Sequence, residues 1–210
     1  RKTSGPVFQP GFGFDSYARI VHEVPQVITN SFAYSLCAVV LIVLVGTLIG
    51  YVVARRGTRL AGVLDGLLFI PYIVPGVVLG VAFVITFNEK PVEITGTATI
   101  LVLMLFIRRL PYAVRASAAI LKQIRGSIEE AAISLGASPG RAFARITLPL
   151  MLPGIVAGAL MSFITAINEL SSSLILYVGR TMTMPVGIYQ WVLDGEFGTG
   201  AALSTILLVA

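Results

Sequence analysis

Ser31 to Val53 is a run of 23 residues without one charged side chain. A helix of that length crosses the ~30 Å hydrocarbon core of a bilayer. Gly66 to Phe87 is a second uncharged run, of 22 residues, broken by Pro71 and Pro75. A third, Gly96 to about Ala118, carries Arg108, Arg109 and Arg115 in its second half. Leu150 to Ile167 is a fourth, with a continuation past Glu169 to Tyr177, and Gly200 to Ala210 opens a fifth. Only 12% of the chain is charged, against about 25% in soluble domains. Backbone polar groups in lipid must be satisfied within each segment, so runs of this kind fold as helices. The pattern predicts an all-α polytopic membrane bundle. Spans fall near 31–53, 66–87, 96–118, 150–177 and 200–210, so five are visible. Residues 1–29 form an outer segment that leads into a transmembrane domain of residues 30–210. Cys37 is the single cysteine and lies inside an apolar run, which leaves no disulfide framework or thiolate metal cluster.

The cations orient the bundle. Arg55, Arg56 and Arg59 follow the first run. Arg108, Arg109, Arg115, Lys122, Arg125, Arg141 and Arg145 end the third run or lie in the loop after it. The remaining five of the fifteen, Arg1, Lys2, Arg19, Lys90 and Arg180, alternate to the other side. By the positive-inside rule the group of ten faces the cytoplasm. Residues 1–29 then lie outside, and a chain that starts at Arg1 and stops within an apolar run is expected to be part of a longer polypeptide, with a further span before Arg1. Asn88 to Gly96 is a polar outer turn. Thr183 to Phe197, with Tyr189 and Trp191, is expected to be a short helix lying on the outer surface. His22, without a second histidine, is a solvated surface residue.

The cytoplasmic loop 121–149 is unlike the rest. Ser127-Ile128-Glu129-Glu130 has the Ser-x-x-Glu form of a capping box. Gly136 suits the left-handed position that ends a helix. Ser138-Pro139 starts a second helix, with Ser as cap and Pro in the first turn. Pro149 and Pro153 mark re-entry into the membrane. The loop is therefore two short, rigid helices. Ala131, Ala132 and Ser134 are small enough for another protein to approach closely, and Glu129 and Glu130 can pair with an arginine of that partner. A capped connector with solvated charges is the competing reading of these residues.

Glu130-Ala131-Ala132, then Gly136, then Ile146-x-Leu148-Pro149 resembles the EAA loop of ABC importer permeases of the type I, methionine-importer-like class. The resemblance extends over roughly residues 15 to 210. It implies the six-span fold of that class, of which four spans are whole here. It implies that the first short helix is a coupling helix seated in a groove of an ATPase subunit. Glu130 would then be the polar anchor, Ala131 and Ala132 would allow close packing and Gly136 would make the turn, with Glu129, Ile146, Leu148 and Pro149 completing the ATPase-coupling set. The partners it implies are an ATPase dimer, a second permease subunit or fused half, and an extracytoplasmic substrate-binding protein. The location it implies is the bacterial cytoplasmic (inner) membrane. No G-x-x-x-x-G-K-[ST] occurs in the chain, so ATP and its Mg are expected on the ATPase partner, with no cofactor bound here. The runs FIPYIVPGVVLGVAF, ITGTATILVLMLFIRRLPYAVRA and INELSSSLILY resemble the ferric-iron group of these permeases, whose relatives handle phosphonate, sulfate, thiamine or polyamines.

Asn168 and Glu169, followed by Ser171 to Ser173, are the most polar part of any span. A charge at bilayer depth costs about 2.5–3.5 kcal/mol on insertion scales, so it faces a partner or a polar interior. Two readings stand: Asn168, Glu169 and Ser171 line the translocation path or its gate, or Glu169 pairs with Arg108 or Arg109 to pin the bundle. Pro71 to Gly76 is either a fixed bend or, at Pro75, a hinge of alternating access. Two other function classes are testable. A membrane-tethered helix-turn-helix regulator is opposed by Pro149, which ties the would-be recognition helix to a span and leaves no room for a phosphate backbone; no nucleic-acid partner is expected. An autonomous channel or secondary transporter needs no docking hairpin.

Overall fold

The computed structural model describes residues 2–4, 7–9, 13–56 and 59–210. Arg1 lies outside the described residues, as do the side chains of Lys2, Arg56 and Arg59. In chain order the elements are a short antiparallel pair, β1 (Lys2–Ser4) and β2 (Val7–Gln9), then α1 (Asp15–Glu23), α2 (Pro25–Arg56), α3 (Arg59–Ile73), α4 (Gly76–Phe87) and α5 (Ala98–Gln123). There follow α6 (Gly126–Ser134), α7 (Pro139–Ala142), a π-helical turn at Phe143–Thr147, α8 (Leu148–Ile167), α9 (Ser173–Leu176), α10 (Met184–Leu193) and α11 (Phe197–Val209).

Among the described residues, two helices are long and apolar enough to cross a membrane: α2, and the continuous helix Pro139–Ile167. The pair α3 and α4 makes a third span if counted as one broken segment. Helix α5 is long enough at 26 residues, but it carries the three arginines. Several expected boundaries move. The second run is two helices, because Pro75 takes extended backbone (φ −53°, ψ 136°) and restarts the helix at Gly76. The fourth span stops at Ile167; the sequence from Asn168 to Ser172 is a turn, in which the Glu169 carboxylate accepts the Ser172 amide. The first span starts six residues early, at Pro25, and the third runs on to Gln123.

The chain forms two compact units. One holds residues 1–38, 74–105 and 165–210; the other holds residues 39–73 and 106–164. Among the described residues the cation groups sort with them: Lys2, Arg19, Lys90 and Arg180, assigned to the outer side, are in the first unit, and the ten assigned to the cytoplasm are all in the second. Each passage of the chain from one unit to the other falls within an apolar run.

In the first unit, α10 packs along α11 and α4 against α9. Met184, Pro185, Val186 and Gly187, the first turn of α10, are buried. A Cβ at Gly187 would sit 3.2 Å from Val27 of α2 and 3.3 Å from Leu203 of α11. Thus α10, the short helix expected here, is packed in the core at its start and is exposed at Tyr189, Val192 and Leu193. Its aromatic residues suggested an interface, but the close approach allowed by Gly187 decided the burial. The Ser31 hydroxyl accepts the Met184 amide at 2.7 Å, and the Asn30 amide donates to the carbonyls of Arg180 and Met182, both at 3.0 Å. Arg19 ties α1 to Glu23 and to Glu196. His22 and Cys37 are exposed.

In the second unit, α5 lies against both α2 and α8 through small residues. Cβ atoms at Gly46 and Gly50 would stand 2.8 Å from Ala113 and 2.7 Å from Ser117. Cβ atoms at Gly154 and Gly158 would stand 2.5 Å from Ile120 and 3.0 Å from the Ala113 backbone. Both glycine pairs have the G-x-x-x-G spacing that lets membrane helices approach closely. Toward the polar loop, Leu121, Met151 and Ile155 form a buried cluster, with Tyr51, Phe143 and Leu148 packed on it. Asp65 of α3 pairs with Arg115 of α5 at 3.1 Å, and the Arg115 guanidinium covers the Phe69 ring at 4.5 Å.

Candidate coupling site

The polar loop folds as the glycine pattern predicts at its centre and differently at both ends. After α6, the Gly136 amide bonds the Ile133 carbonyl at 2.9 Å and the Ala137 amide bonds the Ala132 carbonyl at 3.0 Å. Gly136 has φ +94°, so this is the paired 5→2 and 6→1 stop of a Schellman motif. Left-handed backbone costs an L side chain about 1–2 kcal/mol. Gly136→Ala is therefore expected to lower the thermal midpoint of the purified protein, read by intrinsic fluorescence in detergent. An unchanged midpoint would show that the turn adapts.

The capping box does not form. Arg125 is the N-cap and Ser127 lies inside the helix, with no side-chain cap bond. The reason is tertiary: Gly126 fits beneath the Arg55 guanidinium, where a Cβ would be 3.3 Å from a nitrogen, and this contact sets the entry of the helix. Ser138 is in the N-cap position with Pro139 after it, but its hydroxyl also makes no cap bond. The second helix is not a separate short one. It continues through the π turn into α8, so the loop is one free-standing helix joined to the root of a span.

The two neighbouring glutamates part company. Glu130 is exposed with Ala131, whereas Ala132 and Ile146 are half-buried and Pro149 is exposed at the start of α8. Leu148 belongs to the internal cluster. Glu129 turns inward, with its side chain only 12% exposed. One carboxylate oxygen accepts the Tyr51 hydroxyl; the other accepts the Thr147 hydroxyl at 3.2 Å and lies 3.8 Å from Arg55 Nε. The carboxylate that the sequence left free to pair with a partner's arginine is thus bonded within its own chain. Helix α6 has no buried residue, and it presents Ile128, Ile133 and, just past its end, Leu135, which is 90% exposed. Sequence reasoning passed over these three apolar residues on a polar loop, although their type was a readable signal. It also missed Tyr51 and Arg55, which share a helix face by their spacing of four.

The second group of predicted residues gathers in the first unit. Glu169 is 5% exposed, and its carboxylate accepts the Ser172 amide at 3.1 Å, capping the turn into α9. It shares a small cavity with Ser31, Tyr34, Ser35, Ser173 and Thr183. Asn168 and Ser171 on either side are exposed, as is Pro75. Arg108 and Arg109 are half-buried on α5.

A family model described as binding-protein-dependent transport system inner membrane component matches residues 42–210. The chain belongs to that family of ABC importer permeases. Ferric transport system permease protein FbpB of Actinobacillus pleuropneumoniae is 34% identical over 180 residues, covering 86% of this chain and 26% of that protein. The chain therefore spans about a quarter of that relative's length. The putative 2-aminoethylphosphonate transport system permease PhnV of Salmonella paratyphi A is 27% identical over 205 residues, with 97% of this chain and 77% of that one covered. The molybdenum transport system permease ModB of Mycobacterium bovis is 34% identical over 185 residues, covering 81% and 69%. Among solved structures, the MetNI methionine ABC transporter in an inward-facing conformation aligns with a TM-score of 0.69 at 21% identity, over 94% of this chain and 92% of that one. A bacterial ABC transporter that imports the acidic polysaccharide alginate aligns with a TM-score of 0.76 at 16% identity, over 96% and 81%. The family's fold, an all-α type I importer permease, is the one described above.

Proposed function

We propose that this chain is a membrane-spanning permease subunit of a binding-protein-dependent ABC importer in a bacterial inner membrane, and that α6 is the part a separate ATPase grips. The observation that carries this is the contrast within α6. Glu129 fixes the helix to its own chain, while Ile128, Glu130, Ile133 and, just past the helix end, Leu135 are exposed. ATP, Mg and hydrolysis belong to an ATPase dimer. A second permease subunit or fused half completes the bundle, and an extracytoplasmic protein delivers cargo. Closure of the ATPase pushes α6 and drives alternating access. The test is purification of the native complex with mass identification of its chains and ligand, followed by ATP-dependent uptake in proteoliposomes. Uptake without any ATPase would support an autonomous transporter instead.

Ferric iron is the favoured cargo, in line with the ferric relative at 34% identity; 2-aminoethylphosphonate and molybdenum, named for the other two relatives, are the next to test, and sulfate, thiamine or polyamines remain alternatives from the sequence. Asn168, Glu169 and Ser171 line the route or its gate. Glu169→Gln keeps an oxygen for the Ser172 amide, so assembly is expected to survive while uptake falls about fivefold or more. Failure to assemble would make Glu169 a structural residue only.

A further inference from the structure

Three segments meet at the Glu129 carboxylate, its own α6 included, and a fourth joins through Arg55. Tyr51 and Arg55 come from the end of α2, and Thr147 comes from the π turn at the root of α8. Arg55 also donates to the carbonyl of Ile124, just past α5, at 3.3 Å. The Tyr51 ring packs edge-on against Phe143, the first residue of the π turn, with centroids 4.7 Å apart. A π turn is a widened, less stable stretch of helix that is found most often at functional sites. Here it places Phe143 and Thr147 toward the same junction. By contrast, α6 buries no residue of its own, so little besides this junction holds it.

We infer that Glu129 is a latch: it locks α6 to α2 and to the π turn of α8, so that a push on α6 is passed to both helices as one rigid movement. This rests on the coupling reading above and deepens it. Glu130 and its exposed neighbours receive the force, and Glu129, a positioning residue, transmits it. Charge-assisted hydrogen bonds suit such a part, because they are directional and strong when solvent is largely excluded. If the latch were absent, α6 would move with the ATPase while α2 and α8 stayed behind.

The test uses the full complex with its ATPase and binding protein. Nitroxide labels replace the exposed Val52 of α2 and Ser134 of α6, and their separation is measured by pulsed EPR with and without ATP, Mg and vanadate. In the otherwise native chain one narrow distance is expected in both states. In Glu129→Ala the distance is expected to shift or broaden once nucleotide is added, while ATPase association stays within about twofold of native. Tyr51→Phe and Thr147→Val each remove one bond and keep the carboxylate, which covers the case that Glu129→Ala fails to fold; each is expected to raise the separated population about fivefold. Glu129→Gln, which keeps an acceptor oxygen, should restore part of the native behaviour. A distance unchanged by nucleotide in all of these variants overturns the latch and leaves docking at α6 intact. Loss of ATPase association in Glu129→Ala with a native distance overturns it too, by making Glu129 a docking residue. A native chain that binds no ATPase overturns the coupling reading itself and is seen before any variant is made.

Discussion

Leu135→Glu is expected to release the ATPase from the purified complex, with at least a tenfold loss of affinity in a pull-down titration. Leu135 is 90% exposed, just past the end of a helix that has no buried residue and also exposes Ile128 and Ile133. Burying a leucine side chain contributes about 1.5–3 kcal/mol. A carboxylate in the same apolar contact adds a desolvation penalty, and every 1.4 kcal/mol is about a factor of ten. The substitution leaves the fold alone, because Leu135 touches little of its own chain and the helix stop depends on Gly136 and Ala137. The thermal midpoint of the permease should therefore hold while ATPase binding is lost. Retained binding with native affinity would remove α6 from the interface. Glu130→Gln makes a milder companion, since an exposed charge contact contributes up to about 1 kcal/mol.

The second large effect is on the bundle. Gly154→Ala is expected to destabilise the permease by about 1–3 kcal/mol, the range for overpacking a close contact. The new Cβ would stand 2.5 Å from Ile120 Cγ2, 2.7 Å from Ile120 Cβ and 3.1 Å from the Ala116 carbonyl oxygen. Two of these atoms cannot swing away by a rotamer change, so α5 and α8 must separate. Gly66→Ala is the control with the opposite sign. Nothing lies within 4 Å of a Cβ there, and alanine is the better helix former by about 1 kcal/mol. Thermal midpoints in detergent should fall for the first and hold or rise for the second. Equal behaviour of the two would mean that the α5–α8 approach does not limit stability.

Much of the site could be read along the chain. Glu130, Ala131, Ala132 and Gly136 occupy the free helix and its stop, where the EAA-like spacing put them. The turn at Gly136 was legible because a Schellman stop is a local event among a few neighbouring residues. The helix start was not. Ser127 to Glu130 has the letters of a capping box, but Arg55, about seventy residues away, takes up Gly126 and the Glu129 carboxylate bonds Tyr51 and Thr147. A local capping preference of about 1 kcal/mol is small against a junction of several such bonds. In the same way, Tyr189 and Trp191 pointed to a surface helix, and a glycine between Val27 and Leu203 put its first turn in the core.

Uncharged runs, the division of fifteen cations into ten and five, and a glycine at a left-handed turn were decided by sequence alone. Each is governed by the solvent or by a few adjacent backbone units, and neither changes with the rest of the fold. Which of two adjacent glutamates faces inward, where the broken second run restarts, and how closely Gly154 meets Ile120 were decided only in three dimensions. Those outcomes depend on partners far along the chain, and a carboxylate has no preference between water and a set of buried donors until the donors are in place.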